Sequence, residues 1–198
     1  MQKSFSLGAL ALLVLVGIPA GSRSRAVHAG TALRLSVPEM VEHAELVVEG
    51  RVLARRALVS THGRIETEYT LRVGETFRGE PRELRTFRLP GGTLEDGRGL
   101  VIAGMPELAV GEDLLLFLTR AGSSSMRMPV GLAQGKYSVL RDAHGRKQLT
   151  RKLGELSLLD PITRAARPAP AEGVLDYDTV VAEIRTAAAR ARTTQGGR

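Results

Sequence analysis

The chain has 198 residues, no cysteine, no tryptophan and a formal net charge of +7 at neutral pH. The lack of cysteine excludes disulfide stapling, a lipid-modified cysteine anchor and a cysteine nucleophile, so any folded form must rest on its core alone. Arginine outnumbers lysine 24 to 4, but the arginines are scattered among glutamates. They are not gathered on one face with aromatics to stack on bases, which argues against nucleic-acid binding.

Met1-Gln2-Lys3, an apolar run from Leu7 to Ile18, and Val27-His28-Ala29 before Gly30 read as a secretory signal peptide over residues 1–29. Val27 and Ala29 supply the small residues at the cleavage site, with Pro19-Ala20-Gly21 a competing earlier site. The stretch from Leu7 to Ala20 is shorter than the roughly 20 residues a helix needs to cross a bilayer. Arg23 and Arg25 follow the apolar run and so do not form a twin-arginine signal. The expectation is export by the general secretory route to the periplasm or the medium, with no membrane span after cleavage. Loss of Lys3, Arg23 and Arg25 leaves 169 residues with a net charge of +4, the size of one domain.

Ser36-Val37-Pro38-Glu39 carries a capping-box pattern with proline in the first turn, so a short helix is expected through about Glu45. From Leu46 the apolar period becomes two, predicting a strand to about Arg55. Gly50 in its interior marks a sharp bend or a close backbone approach. His62-Gly63 marks a turn, and the alternation from Ile65 to Val73 completes a long antiparallel hairpin. A third strand, Leu84 to Leu89, ends at Pro90-Gly91-Gly92, where a loop begins. Leu100 to Ala103 is a short strand candidate. Leu114 to Leu118 is apolar on both faces and predicts the most deeply buried strand, where a charge at Leu116 prevents folding.

Beyond the Gly122-Ser123-Ser124-Ser125 loop, residues 135–140 and 146–151 flank Asp142-Ala143-His144-Gly145 as a second hairpin. Residues 154–175, punctuated by Pro161, Pro168 and Pro170, read as an irregular connector. A closing helix over 176–192, capped by Asp176, carries the stripe Val180, Val181, Ile184, Ala187, Ala188 and Ala191, and residues 193–198 read as a frayed tail. The expected fold is therefore mainly β: a small antiparallel OB-like barrel of six or seven strands spanning residues 30–153, with a short N-terminal helix and a C-terminal helix packed on it. An open sheet covered by the C-terminal helix is the alternative.

The chemistry-bearing residues do not converge on a known pattern. His62, Glu66 and Glu68 are the best metal candidates, but the glutamates lie on the polar face of an amphipathic strand and a nitrogen-rich site lacks its second histidine, so no metal or other cofactor is expected. Serine chemistry lacks a Gly-x-Ser-x-Gly elbow, and Ser60 near His62 or Asp142 near His144 are ordinary turn neighbours. The glycine-rich stretch from Pro90 to Gly99 contains Glu95 and Asp96, which repel phosphate. Gly131-Leu132-Ala133-Gln134-Gly135-Lys136-Tyr137 reads either as a bulge in which Gln134 bonds neighbouring backbone or as a partner-facing surface. The candidate partner-binding residues are Pro90, Gly91, Gly92, Gln134, Gly135 and Lys136.

The ordered strings Ala44-Glu45-Leu46-Val47-Val48-Glu49-Gly50-Arg51-Val52, Thr70-Leu71-Arg72-Val73 with Phe77-Arg78-Gly79, Leu89-Pro90-Gly91-Gly92, Gly111-Glu112 before Leu115-Leu116-Phe117-Leu118, and Gly131 to Tyr137 resemble a group of exported bacterial β-barrel proteins. The first half is also distantly similar to the OB barrels of netrin modules and metalloproteinase inhibitors, with Arg78 where lysine is common. The resemblance implies a five-stranded barrel with helical additions and a binding role. It also implies a secreted zinc protease as one partner, although those inhibitors use an N-terminal cysteine and disulfides that this chain lacks. The expected function is thus an exported, non-enzymatic binding module for a secreted or envelope protein. An accessory or inhibitor of a secreted metalloprotease and a hydrolase assembled only in three dimensions are the alternatives.

Overall fold

A computed structural model describes residues 30–122, 125–154, 156–170 and 173–196. The leader expected over residues 1–29 and the last two residues of the expected tail lie outside the described residues. In chain order the elements are β1 (Thr31–Leu33), α1 (Val37–His43), β2 (Leu46–Val59), β3 (Ile65–Arg78), β4 (Leu84–Pro90), β5 (Gly92–Thr93), β6 (Gly99–Leu100) and β7 (Asp113–Leu118). There follow a 3-10 turn (Leu132–Gly135), β8 (Lys136–Arg141), β9 (Lys147–Thr150), β10 (Ser157–Leu159), β11 (Ala166–Pro168), β12 (Val174–Asp176) and α2 (Tyr177–Gly196). The fold is mainly β, with a helix near either end, as its periodicity indicates.

Seven strands form one antiparallel sheet in the order β12-β9-β8-β7-β2-β3-β4. Both faces of its centre are covered, which is why β7 reads as continuously apolar. Leu115 and Phe117 join Val47, Tyr137, Val139 and Leu149 beneath the two helices, while Leu114, Leu116 and Leu118 pack with Val48, Val52, Tyr69, Leu71 and Phe87 on the opposite side. All five β7 residues from Leu114 to Leu118 are buried. At about 1.5–3 kcal/mol for each fully buried aliphatic or phenyl side chain, this strand is the largest contiguous contribution to the core.

The helices follow from their ends and faces. Ser36 caps α1: its N–H and Oγ donate to the Glu39 carboxylate at 2.7 and 2.6 Å, completing the capping box. Met40 and Val41 of α1 meet Val180, Val181, Ile184 and Ala188 of α2. Asp176 caps α2, accepting from the Thr179 N–H at 2.8 Å. The helix runs to Gly196, four residues past the expected end, so residues 193–196 are helical rather than frayed.

Gly50 shows why the long hairpin curves. Its β2 register shifts between Glu49 and Gly50, and a Cβ there would lie 2.3 Å from the Arg72 carbonyl oxygen. The regular ladders leave β4 and β12 at the two margins of the sheet. The β4 margin is nonetheless linked back to β7. The Arg127 N–H donates to the Arg88 carbonyl at 2.9 Å, while the Thr119 and Val130 N–H groups donate at 2.9 Å to the Met128 and Phe117 carbonyls. Backbone bonds thereby run around the inner core through β2, β3, β4, residues 125–130 and β7.

Two further sequence expectations are corrected, and one strand is added. Leu100–Ala103 is not a strand core: only Gly99–Leu100 pairs, with Gly92–Thr93, and Val101 is 93% exposed. Residues 154–175 are not an irregular connector throughout, since β10 and β11 lie within them and β12 begins at Val174. β1, which the periodicity did not show, pairs parallel to β10. Strands of three residues are too short to display alternation, and Leu156 and Leu158 are held instead by packing against Ala133 and Leu153.

Candidate functional site

The cleft containing Pro90, Gly91 and Gly92 begins with the length of the β2–β3 hairpin. β7 pairs with β2 only as far as Arg51, whereas β3 follows it to Val59, so the outer half of the hairpin and β4 extend past the end of β7 as a three-stranded shelf. The loop from Gly91 to Leu108 folds over that shelf because Leu108 is buried in the inner core and Glu107 is tied to Arg55. Between shelf and loop lies a half-open cleft of about 500 Å³. Its floor is Ala57, Thr67, Tyr69 and Leu89, and Ile102 and Met105 line its far side.

The Pro90-Gly91-Gly92 turn is fitted to this floor. Gly91 and Gly92 adopt φ of 92° and 133°, a region that side chains disfavour. The Thr67 Oγ1 donates to the Gly91 carbonyl at 2.7 Å, and the Gly91 N–H donates to the Ile65 carbonyl at 2.9 Å. A Cβ on Gly92 would lie 2.1 Å from Thr67 Oγ1, and one on Gly91 would lie 2.8 Å from the Leu100 carbonyl oxygen. The glycines therefore allow the chain to reverse against β3 and carry Leu100 and Val101 to the cleft rim.

The rim is charged on both sides. Arg55 Nη1 donates to Glu107 Oε1 at 2.5 Å, and Glu95 stands on the loop side. Burial pushes the Tyr69 phenol above its ordinary pKa. A floor that mixes Ala57 and Leu89 with the hydroxyl-bearing Thr67 and Tyr69, under a charged rim, suits a small amphipathic group. A second cleft of about 710 Å³, lined in part by His43, Glu45, Arg78 and Arg192, contains none of the candidate residues.

The structure does not bring the second candidate stretch to the same place. Gln134 is 1% exposed: its Oε1 accepts from the Leu35 N–H at 3.0 Å, and its Nε2 donates to the Leu33 and Gly131 carbonyls at 2.8 and 3.1 Å. Gly135 is closed in by Val130, whose carbonyl oxygen would lie 2.5 Å from a Cβ. Lys136 is buried and donates to Glu112 and to Ser138 Oγ. Of the two readings of this stretch, the backbone-bonding one describes Gln134. The three residues hold β1 and the turn before β7, and they offer no surface for a partner.

His62 sits on the exposed hairpin turn. Glu68 accepts from Arg88 Nε and Nη2 at 3.1 and 3.0 Å and also faces Arg56 at 3.5 Å. Glu66 is buried rather than solvated, with its Oε2 3.9 Å from Arg88 Nη1 and without a hydrogen bond. No group of three potential metal ligands occurs among the described residues. Asp142 accepts from the N–H groups of His144 and Arg146 and closes its turn, while Ser60 Oγ accepts from the Arg64 N–H at 3.3 Å.

Sequence reasoning missed Arg55, Tyr69, Met105 and Glu107 as cleft residues, because loop closure over a strand is a tertiary event with no local period. The one available signal was the hairpin length: β2 and β3 alternate well past the reach of the five-residue apolar run in β7. No protein-family model matches the chain, and no curated protein matches it.

Proposed function

We propose that the chain is an exported, non-enzymatic binding module that engages a secreted or envelope protein through the cleft beside Pro90-Gly91-Gly92. The observation that carries this reading is the exposed Leu100-Val101 lip above a preformed floor whose backbone is fixed by Thr67 and the two glycines. Leu100 and Val101 are neighbouring apolar side chains, 39% and 93% exposed, at the rim of the cleft, where they offer contact area to a partner. The ring of backbone bonds around the inner core supports the OB-like reading of the domain, and recognition through loops at one end of such a ring leaves the core untouched.

Processing after Ala29 is part of the same proposal. Gly30 fits the fold as glycine, since a Cβ would lie 2.7 Å from the Ala103 carbonyl oxygen, and its own carbonyl accepts from the Ser157 N–H at 2.9 Å. The test uses residues 30–198 as bait against the envelope and culture fluid of the exporting organism, in parallel with Val101→Asp. Saturable capture of a protein that the variant fails to retain supports the reading. Equal capture by both baits removes the cleft from it.

A further inference from the structure

Beyond Val52 the outer edge of β2 has no strand beside it among the described residues. Val52 makes the last backbone bonds on that side, its N–H donating to the Glu112 carbonyl at 3.0 Å and its carbonyl accepting from the Gly111 N–H at 2.8 Å. A register shift between Val52 and Ala54 then changes which residues face outward. The Ser60 N–H donates to the Arg64 carbonyl at 2.8 Å, which makes that pair hydrogen-bonded. The pairs Leu58 with Glu66, Arg56 with Glu68 and Ala54 with Thr70 share its phase. Arg55, Ala57 and Val59 consequently direct their N–H and C=O groups away from β3, at intervals of about 6.8 Å.

This edge borders the cleft. Arg55 and Ala57 line it from the inner face, together with Tyr69, Leu89 and Met105. On the outer face, Arg56 is 74% exposed at its side chain, and its carboxylate partner Glu68 is already held by two bonds from Arg88. The edge from Leu53 to Val59 carries two arginines and no acidic residue. A strand laid along it meets outward-facing backbone in its plane, a cleft of mixed polar and apolar lining with Ala57, Leu89 and Met105 in it on one face, and Arg56, 3.5 Å from Glu68, on the other.

We infer that this edge takes an extended, acidic polypeptide segment of the partner by strand addition, with alternate aliphatic side chains entering the cleft and the intervening carboxylates meeting Arg56. Strand addition draws affinity from backbone bonds and selectivity from pockets for alternate side chains. The inference rests on the binding reading above and names the partner segment's chemistry. Its acidic character follows from charge complementarity with Arg56.

The test uses the folded chain 30–198 and a fluorescein-labelled heptapeptide of alternating valine and glutamate, with a valine–lysine heptapeptide as counterpart. Anisotropy is expected to show saturable binding of the acidic peptide only, at least tenfold weakened by Ala57→Pro, which removes an outward N–H without removing a bond to β3. Arg56→Glu, at an exposed position, is expected to invert the preference toward the lysine peptide, and it keeps the inference testable if the proline variant does not fold. Equal affinity for the two peptides, no binding of either, or unchanged affinity in folded Ala57→Pro would overturn the inference. So would sedimentation showing that the edge is closed by a second copy. If the peptides fail while Val101→Asp still abolishes partner capture, the cleft reading stands and strand addition alone falls.

Discussion

The buried Lys136 ammonium, at the start of β8, donates to the Glu112 carboxylate in the turn that leads into β7. The same carboxylate accepts from Ser138 Oγ at 2.5 Å and from the Ala109 N–H at 3.0 Å. This cluster fixes where the long loop that roofs the cleft rejoins the sheet.

Glu112→Gln leaves Lys136 buried beside a neutral amide and is expected to cost about 3 kcal/mol in denaturant unfolding. Pairing it with Lys136→Met is expected to recover most of that loss, since the uncompensated charge is removed along with its partner. A double-mutant cycle from urea curves measures the coupling.

The Glu112 carboxyl also sets an acid limit. Burial raises its pKa, but bonds from Lys136, Ser138 and the Ala109 N–H outweigh burial and hold it below its ordinary value of 4.5. A carboxyl with a lowered folded pKa contributes stability that is present above the unfolded value and is lost as pH falls through the folded value. Melting curves below pH 4.5 are therefore expected to converge for the parent chain and Glu112→Gln. A constant gap across that window would show that the carboxylate is not the group responsible.

Gln134→Ala deprives the Leu35 N–H and the Leu33 carbonyl of their side-chain partners and is expected to cost about 2 kcal/mol. Hydrogen exchange should quicken first at Leu35 and along β1 and β10, with β7 amides still protected. Uniform acceleration would contradict a local clamp.

Gly92→Ala places a Cβ against Thr67 Oγ1 at a backbone φ of 133° and is expected to destabilise by about 2 kcal/mol, a fall of roughly 4–8 °C in melting temperature. Thr67→Ala in the same chain relieves the overlap but not the dihedral strain, so recovery should be partial. Full recovery would assign the whole cost to the hydroxyl contact.

Where the sequence was legible, a repeating physical requirement lay behind it. β2, β3 and β7 were readable because burial on one or both faces imposes a period of two or none, and α1 because Ser36 and Glu39 solve a local hydrogen-bond problem at its first turn. β1, β10, β11 and β12 were not, since three residues display no period and their positions depend on partners more than a hundred residues away in the case of β1 and β10. Pro90-Gly91-Gly92 declared a turn, and only the fold shows that the turn fits Thr67 and roofs a cleft. Gln134 was conspicuous between two glycines, and Lys136 as a lysine in a chain that otherwise uses arginine. That conspicuousness reflects the needs of orphaned backbone groups and a buried carboxylate.

Amide hydrogen–deuterium exchange of residues 30–198, with and without a captured partner, tests most directly whether the cleft is where binding occurs. Slowed exchange is expected at residues 91–107 and at Arg55, Ala57 and Val59, with the helices unaffected. Protection confined to α1, α2 or the cleft around His43 and Arg78 would contradict it.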